Sequence, residues 1–167
     1  MWRRFVFIGG VVLVAALAAW AQPANLIIVP GHAIGDIQLG MTQQQVLNRM
    51  GIPDEISNDR SSDGGRNVYW VYPQGDRSVL VVSWTKRQDE AGGADFLFTD
   101  SAKFVTSKGV TLGAATFREL LTHYGTPERM SGLGRGAVMF YYEGQGIRFR
   151  VEGEQGRVTA VTIIPRK

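Results

Sequence analysis

Cysteine is absent from all 167 residues. That rules out disulfides, thiol nucleophiles, thiolate metal sites and a lipid-modified N-terminal cysteine. Histidine is nearly absent too. His32 and His123 are the two present, and neither has a second ligand at metal-binding spacing, so no metal site is expected. No Gly-x-Ser-x-Gly elbow occurs. Gly132-x-Gly134-x-Gly136 has the look of a phosphate loop, but it follows a predicted helix and precedes a strand. A phosphate needs the reverse order, with its oxygens on a helix N-terminus. The carboxylate pairs Asp54-Glu55 and Asp89-Glu90 fall in predicted loops, and nothing makes them converge on one cleft as acid–base work requires. No run of Lys and Arg is dense enough for nucleic acid. The expectation is a protein without catalytic residues, without cofactors and without a nucleic-acid partner.

What is present begins with residues 1–21. Arg3 and Arg4 precede an apolar run over 5–18, and Ala19-Trp20-Ala21 is a small-x-small site before Gln22. This is the pattern of a signal peptide. The run is short for a bilayer span, which needs about 20 apolar residues. The expected location is periplasmic or secreted after cleavage. The alternative is an inner-membrane anchor over residues 5–21, the sole membrane contact foreseen.

The remainder is patterned around a segment that occurs twice. Leu39-Gly40-Met41-Thr42 leads to Val46, Leu47 and Met50, then Gly51 and Pro53. Leu112-Gly113 leads, after two alanines, to Thr116, then Phe117, Leu120, Leu121 and Tyr124, then Gly125 and Pro127. Thr42 with Gln45, and Thr116 with Glu119, are capping boxes. The apolar spacing behind each is helical, and Gly then Pro stops the chain. The period is about 74 residues, too long for a solenoid unit and suited to two small subdomains.

Each helix (42–50 and 116–124) is followed by strand signals. In the first half they fall at 68–72, 79–84 and 96–98; in the second at 138–142, 147–151 and 158–164. Polar, Gly-rich segments at 57–66 and 131–136 read as loops. The expected fold is α+β: two tandem repeats, each a short helix and a three-stranded antiparallel meander, with the sheets joined side by side. The units run 22–100 and 101–167. The first carries six basic and ten acidic residues and the second ten and five, charges of −4 and +5 that suit either a basic surface or attraction between the halves.

Ile147, Phe149 and Val151 alternate with Arg148 and Arg150, so the arginines face away from the core. Aligning Val79 with Ile147 puts Leu80, Val82 and Trp84 on that same outer face. It is then apolar in the first half, either covered by neighbouring chain or open to a partner. Tyr69 and Tyr141 point the same way by alternation. These residues, with Arg60, Arg66 and Arg135 from the two polar loops, are the candidate partner-binding set, since Tyr, Trp and Arg anchor protein interfaces.

Gly-Met-Thr-x-x-x-Val-Leu at 40–47, the Gly-x-Pro stop and the strand signals resemble the BamE-like (SmpA/OmlA) family. The tandem arrangement is similar to the beta-lactamase inhibitory protein superfamily. That resemblance implies a non-catalytic binder working through a sheet face and its loops, acting on a cell-envelope protein or assembly. The missing cysteines detach it from the lipid anchor and disulfides of those proteins. The alternative function is a periplasmic carrier of a small ligand or lipid in a cleft between the repeats.

Overall fold

The computed structural model describes residues 26–60, 65–75, 77–86 and 92–167. The signal segment over 1–21, parts of the loop at 57–66 and all of 87–91, with the Asp89-Glu90 pair, lie outside the described residues.

Both helices start and stop where their caps dictate. α1 is Gln43–Met50 and α2 is Phe117–Tyr124. The Gln45 amide donates to the Thr42 hydroxyl at 3.2 Å, and the Thr42 amide donates to Gln45 Oε1 at 2.8 Å. In α2 the same two bonds join Glu119 and Thr116 at 3.4 and 2.7 Å. Gly51 and Gly125 end the helices at the same backbone angles, φ 78 and ψ −163, a positive φ that glycine adopts without a Cβ penalty.

Everything else is largely strand. Among the described residues twelve strands form two sheets, which overturns the expected pair of helix-plus-three-strand units. β4 (Glu55–Arg60), β5 (Arg66–Gly75), β6 (Ser78–Lys86) and β7 (Phe96–Thr99) come from the first half. β9 (Arg129–Gly134), β10 (Ala137–Tyr142), β11 (Ile147–Glu152) and β12 (Arg157–Ile163) come from the second. They join as one eight-stranded antiparallel sheet in the order β4-β5-β6-β7-β12-β11-β10-β9. The two segments expected to be loops are thus largely its edge strands. Every residue of β4 is exposed, so β4 carries no apolar alternation to announce it, as suits an edge strand.

The second sheet was not foreseen. The lead-ins form four short strands, β1 (Ile27–Val29), β2 (Ala33–Ile34), β3 (Ile37–Gln38) and β8 (Val105–Thr106), ordered β3-β2-β1-β8. β1 and β8 run parallel, so the lead-in of one half is sewn to that of the other. The helices and this small sheet cover one face of the large sheet. A single buried cluster runs through Ile28, Ile34, Val46, Trp84, Leu97, Leu120, Phe149 and Ile163. Gly146, in the turn after the short 3₁₀ helix Glu143–Gln145, is set by this junction. A Cβ there would lie 2.5 Å from Gly31 Cα, closer than any side chain tolerates, and the Gly31 amide donates to the Gly146 carbonyl at 3.0 Å.

Candidate functional site

The face of the large sheet away from the helices is where side chains meet solvent. Strand register defines one row across it: Glu55, Val71, Val81, Phe98, Thr162, Arg148, Tyr141, Arg129, each paired with the next. At about 4.8 Å per strand the row spans about 34 Å. Val71, Val81, Phe98, Arg148 and Tyr141 are half-buried, and Glu55 and Arg129 are exposed. The halves correspond along it position by position: Glu55 with Arg129, Val71 with Tyr141, Val81 with Arg148, Phe98 with Thr162. The first half of the row is apolar and ends in a carboxylate. The second is polar and ends in guanidinium groups.

Tyr141 lies between two arginines from the neighbouring strands. Arg129 Cζ sits 3.5 Å from its ring centroid and Arg148 Cζ sits 5.1 Å away. Each such contact contributes about 0.5–1 kcal/mol where solvent reaches it. Glu143, at the start of the 3₁₀ helix, faces three cations: Arg148 at 3.0 Å, Arg129 at 3.8 Å and the Lys167 ammonium. The hydrogen bond from Lys167, and then the charges of Lys167 and Arg148, hold its carboxyl below the usual range. Arg148 Nε is buried without a hydrogen-bond partner. Beside the apolar half, the Tyr69 hydroxyl points at Asp59, 3.3 Å away. Burial, then the Asp59 charge, raises its pKa.

Of the residues singled out from sequence, Tyr141, Arg148 and Arg150 are brought together on this face, and Tyr69 shares it in the adjacent row. Arg150 is paired with Glu152. Leu80, Val82 and Trp84 are not on it. They are 2%, 0% and 1% exposed and lie opposite Tyr72, Trp70 and Val68 under the helices. Trp84 Nε1 donates to the Met41 carbonyl at 2.9 Å, and its ring meets Trp70 edge-on at 5.0 Å. The error is a one-residue slip. Tyr72 pairs with Leu80 as Tyr142 pairs with Ile147, so Leu80, not Val79, corresponds to Ile147, and a shift of one reverses every side chain. Arg60 and Arg66 face each other at the end of β4 and β5. Arg135 is in the β9–β10 turn, at the opposite edge of the sheet. The arginines of the two polar segments therefore do not form one surface.

Sequence reasoning missed Val71, Val81, Phe98, Arg129 and Glu143. The first three were legible as strand residues but not as a face. Arg129 and Glu143 carry no local signal, because they join the site only through β9–β10 pairing and the 3₁₀ turn. His32 and His123 are exposed and lie in different elements. Among the described residues no three His, Asp or Glu side chains are grouped as a metal site, and no helix is long and apolar enough to cross a membrane.

A recess of about 310 Å³ lies where the lead-ins of both halves meet the 3₁₀ turn, lined by Val29, Pro30, Ser107, Lys108, Gly144, Gln145 and Arg166. Its cations have partners. Lys108 donates to Gln145 at 2.7 Å, and Arg166 donates to the Pro30 carbonyl at 3.1 Å.

No family model matches the sequence, and no curated protein matches it. Three solved structures resemble the fold. An extracellular protein containing an SCP domain from Bacillus anthracis aligns with a TM-score of 0.50 at 10% identity, over 76% of this chain and 44% of that one. A DUF4309 family protein (YjgB) from Bacillus subtilis gives 0.48 at 12%, over 75% and 78%. A cysteine-rich secretory protein from Staphylococcus aureus gives 0.48 at 14%, over 81% and 48%. This chain spans less than half the length of the Bacillus anthracis and Staphylococcus aureus proteins. At such identities the likeness is one of fold alone. These findings correct the resemblance drawn from the Gly-Met-Thr motif: neither the BamE-like (SmpA/OmlA) family nor the inhibitory-protein superfamily is recovered. What is shared is a mostly-sheet fold similar to that of the SCP-containing extracellular protein.

Proposed function

We propose that the protein is an exported, non-catalytic binding module that engages a protein or assembly of the cell envelope through the open face of its eight-stranded sheet. The observation that carries this is the row from Val71 to Arg129. Half-exposed apolar side chains run into a tyrosine held between two arginines, and arginine and aromatic residues at well-packed centres dominate interface energies. Export rests on the basic-apolar-small pattern of residues 1–21. The extracellular setting stated for the Bacillus anthracis protein agrees with it.

The test is crosslinking of the protein in its native envelope, with mass spectrometry of what is captured. F98E and Y141A should each abolish capture of the same partner while leaving the fold intact. Capture unchanged in both variants would refute the sheet face as the contact. The carrier reading has one observation behind it, the recess at the junction of the halves. It predicts a small anionic ligand released by K108A and indifferent to F98E.

A further inference from the structure

The open face has a polarity that narrows what can cover it. Its first half is apolar at Val71, Val81 and Phe98. Its second half sets Arg129 and Arg148 on the Tyr141 ring and gathers Arg129, Arg148 and Lys167 around Glu143, with the Glu128 carboxylate beside it on the Gly144 amide, so that three cations face two carboxylates. Arg148 keeps a buried donor without an acceptor. An unpaired buried donor of this kind is costly; what a partner carboxylate can meet in bidentate geometry is the solvent-facing edges of the partly exposed Arg129 and Arg148 side chains.

A second copy of this chain is a poorer fit than a partner with an acidic patch. Packing two open faces about a twofold axis along the row sets Arg129 and Arg148 against themselves. A twofold axis along the strands sets Val81 against Arg148 and Val71 against Tyr141. The first arrangement juxtaposes like charges; the second sets Glu55 against Arg129 but lays the Arg148 guanidinium, already bonded to Glu143, on the aliphatic carbon of Val81. Either is unfavourable relative to a surface of complementary sign.

Resting on the sheet-face reading above, we infer that the partner presents an apolar patch next to an acidic one: apolar side chains cover Val71, Val81 and Phe98, and Asp, Glu or a chain-terminal carboxylate enters between Arg129 and Arg148 over the edge of Tyr141. The carboxylates of such a partner replace Glu143 as the counter-charge of the two guanidinium groups. Association is therefore faster at low salt, as for any contact steered by opposite charge.

The probe is a synthetic peptide of about ten residues, long enough when extended to span the row, with valine and phenylalanine in one half and glutamate and aspartate in the other. Its control carries lysine at each acidic position. Binding to the full protein is followed by fluorescence anisotropy, and the site by amide chemical shifts. The acidic peptide should bind and shift amides of β6, β7, β10 and β11. The lysine peptide should not bind. R129Q/R148Q should weaken the acidic peptide at least about tenfold, a loss of about 1.4 kcal/mol, and R129E/R148E should exchange the preference toward the lysine peptide.

The inference is overturned by equal affinity for the two peptides, by affinity unchanged in R129Q/R148Q, or by no binding at about 1 mM, where a contact of millimolar strength would be seen. It is also overturned if phosphatidylglycerol vesicles bind and neither peptide competes, which would make the face a lipid contact. The envelope crosslinking separates the two readings. If F98E loses the captured partner and R129Q/R148Q keeps it, the sheet face stands and the acidic chemistry falls. If both keep it, both fall.

Discussion

The Tyr142 hydroxyl donates to the carbonyl of Gly125 at 2.9 Å. The bond runs from the core face of the large sheet to the last turn of α2, and it satisfies one of the carbonyls a helix end leaves open. Tyr72 makes the matching bond to Gly51 at 3.2 Å below α1. Y142F should therefore cost about 1 kcal/mol, and Y72F about the same or less. The sites are in different halves, so the double variant should be close to additive. Urea titration measures all three.

The same tyrosine sets an alkaline limit. Burial, and then neighbouring Tyr124, push its hydroxyl up from 10.0 to about 12. A raised folded value favours the neutral form, so its contribution is whole below pH 10. It declines as the unfolded chain ionises and is lost as pH passes the folded value. Stability of the wild type should fall between pH 10 and 12, and Y142F should fall less steeply there. Identical slopes would mean that the hydroxyl does not titrate with unfolding.

Capping-box residues offer a second test of how the helices are fixed. T42A and T116A should each lower stability by about 1 kcal/mol, the ordinary cost of losing a threonine cap. T116S should recover most of the loss, since the hydroxyl that accepts from the Glu119 amide remains. Helical circular dichroism with thermal melting reads both.

The two faces of β6 respond in opposite ways. W84A empties a fully buried site and removes one of two donors to the Met41 carbonyl, the Ala94 amide being the other, and should cost about 3–5 kcal/mol. F98E, one strand over on the open face, should change stability by about 1 kcal/mol or less. A mild W84A would mean the indole is not core, contrary to its packing against Trp70.

Acid weakens the arginine cluster through Glu143. Its carboxyl is held below the usual range by Lys167 and Arg148, so its contribution is present above about pH 4, the ordinary glutamate value, and lost as pH falls through the folded value. The melting-temperature difference between wild type and E143Q should be greatest at neutral pH, shrink in acid, and shrink with added salt. A difference independent of pH would assign the effect to packing.

The sequence made the helices legible because their signals are local: cap, apolar spacing, Gly and Pro all lie within eleven residues of each other. β11 was legible for a similar reason, since alternating arginines give it a phase. β6 has none. Val79, Leu80, Val81 and Val82 are apolar on both sides, so periodicity finds the strand and cannot say which side faces the core. That one missing phase misplaced Leu80, Val82 and Trp84 and hid Val81. The edge strands β4 and β9 escaped because polar residues with one pairing partner look like loop. The small sheet escaped because its strands are two or three residues long, too short to show a period, and because β1 meets β8 across more than seventy residues, as Ile28 does with Thr106.

The position of β7 bears on how the molecule is made. It lies between β6 and β12, and β12 is the last strand of the large sheet in chain order. A chain emerging from its amino end thus leaves one edge of the Phe96–Thr99 ladder bare until β12 has been made. Such a ladder, with two phenylalanines on one side, is a ready template for another copy in the same condition. Refolding should accordingly be slow for so small a protein, and its yield should drop with concentration well before the finished molecule shows any tendency to associate.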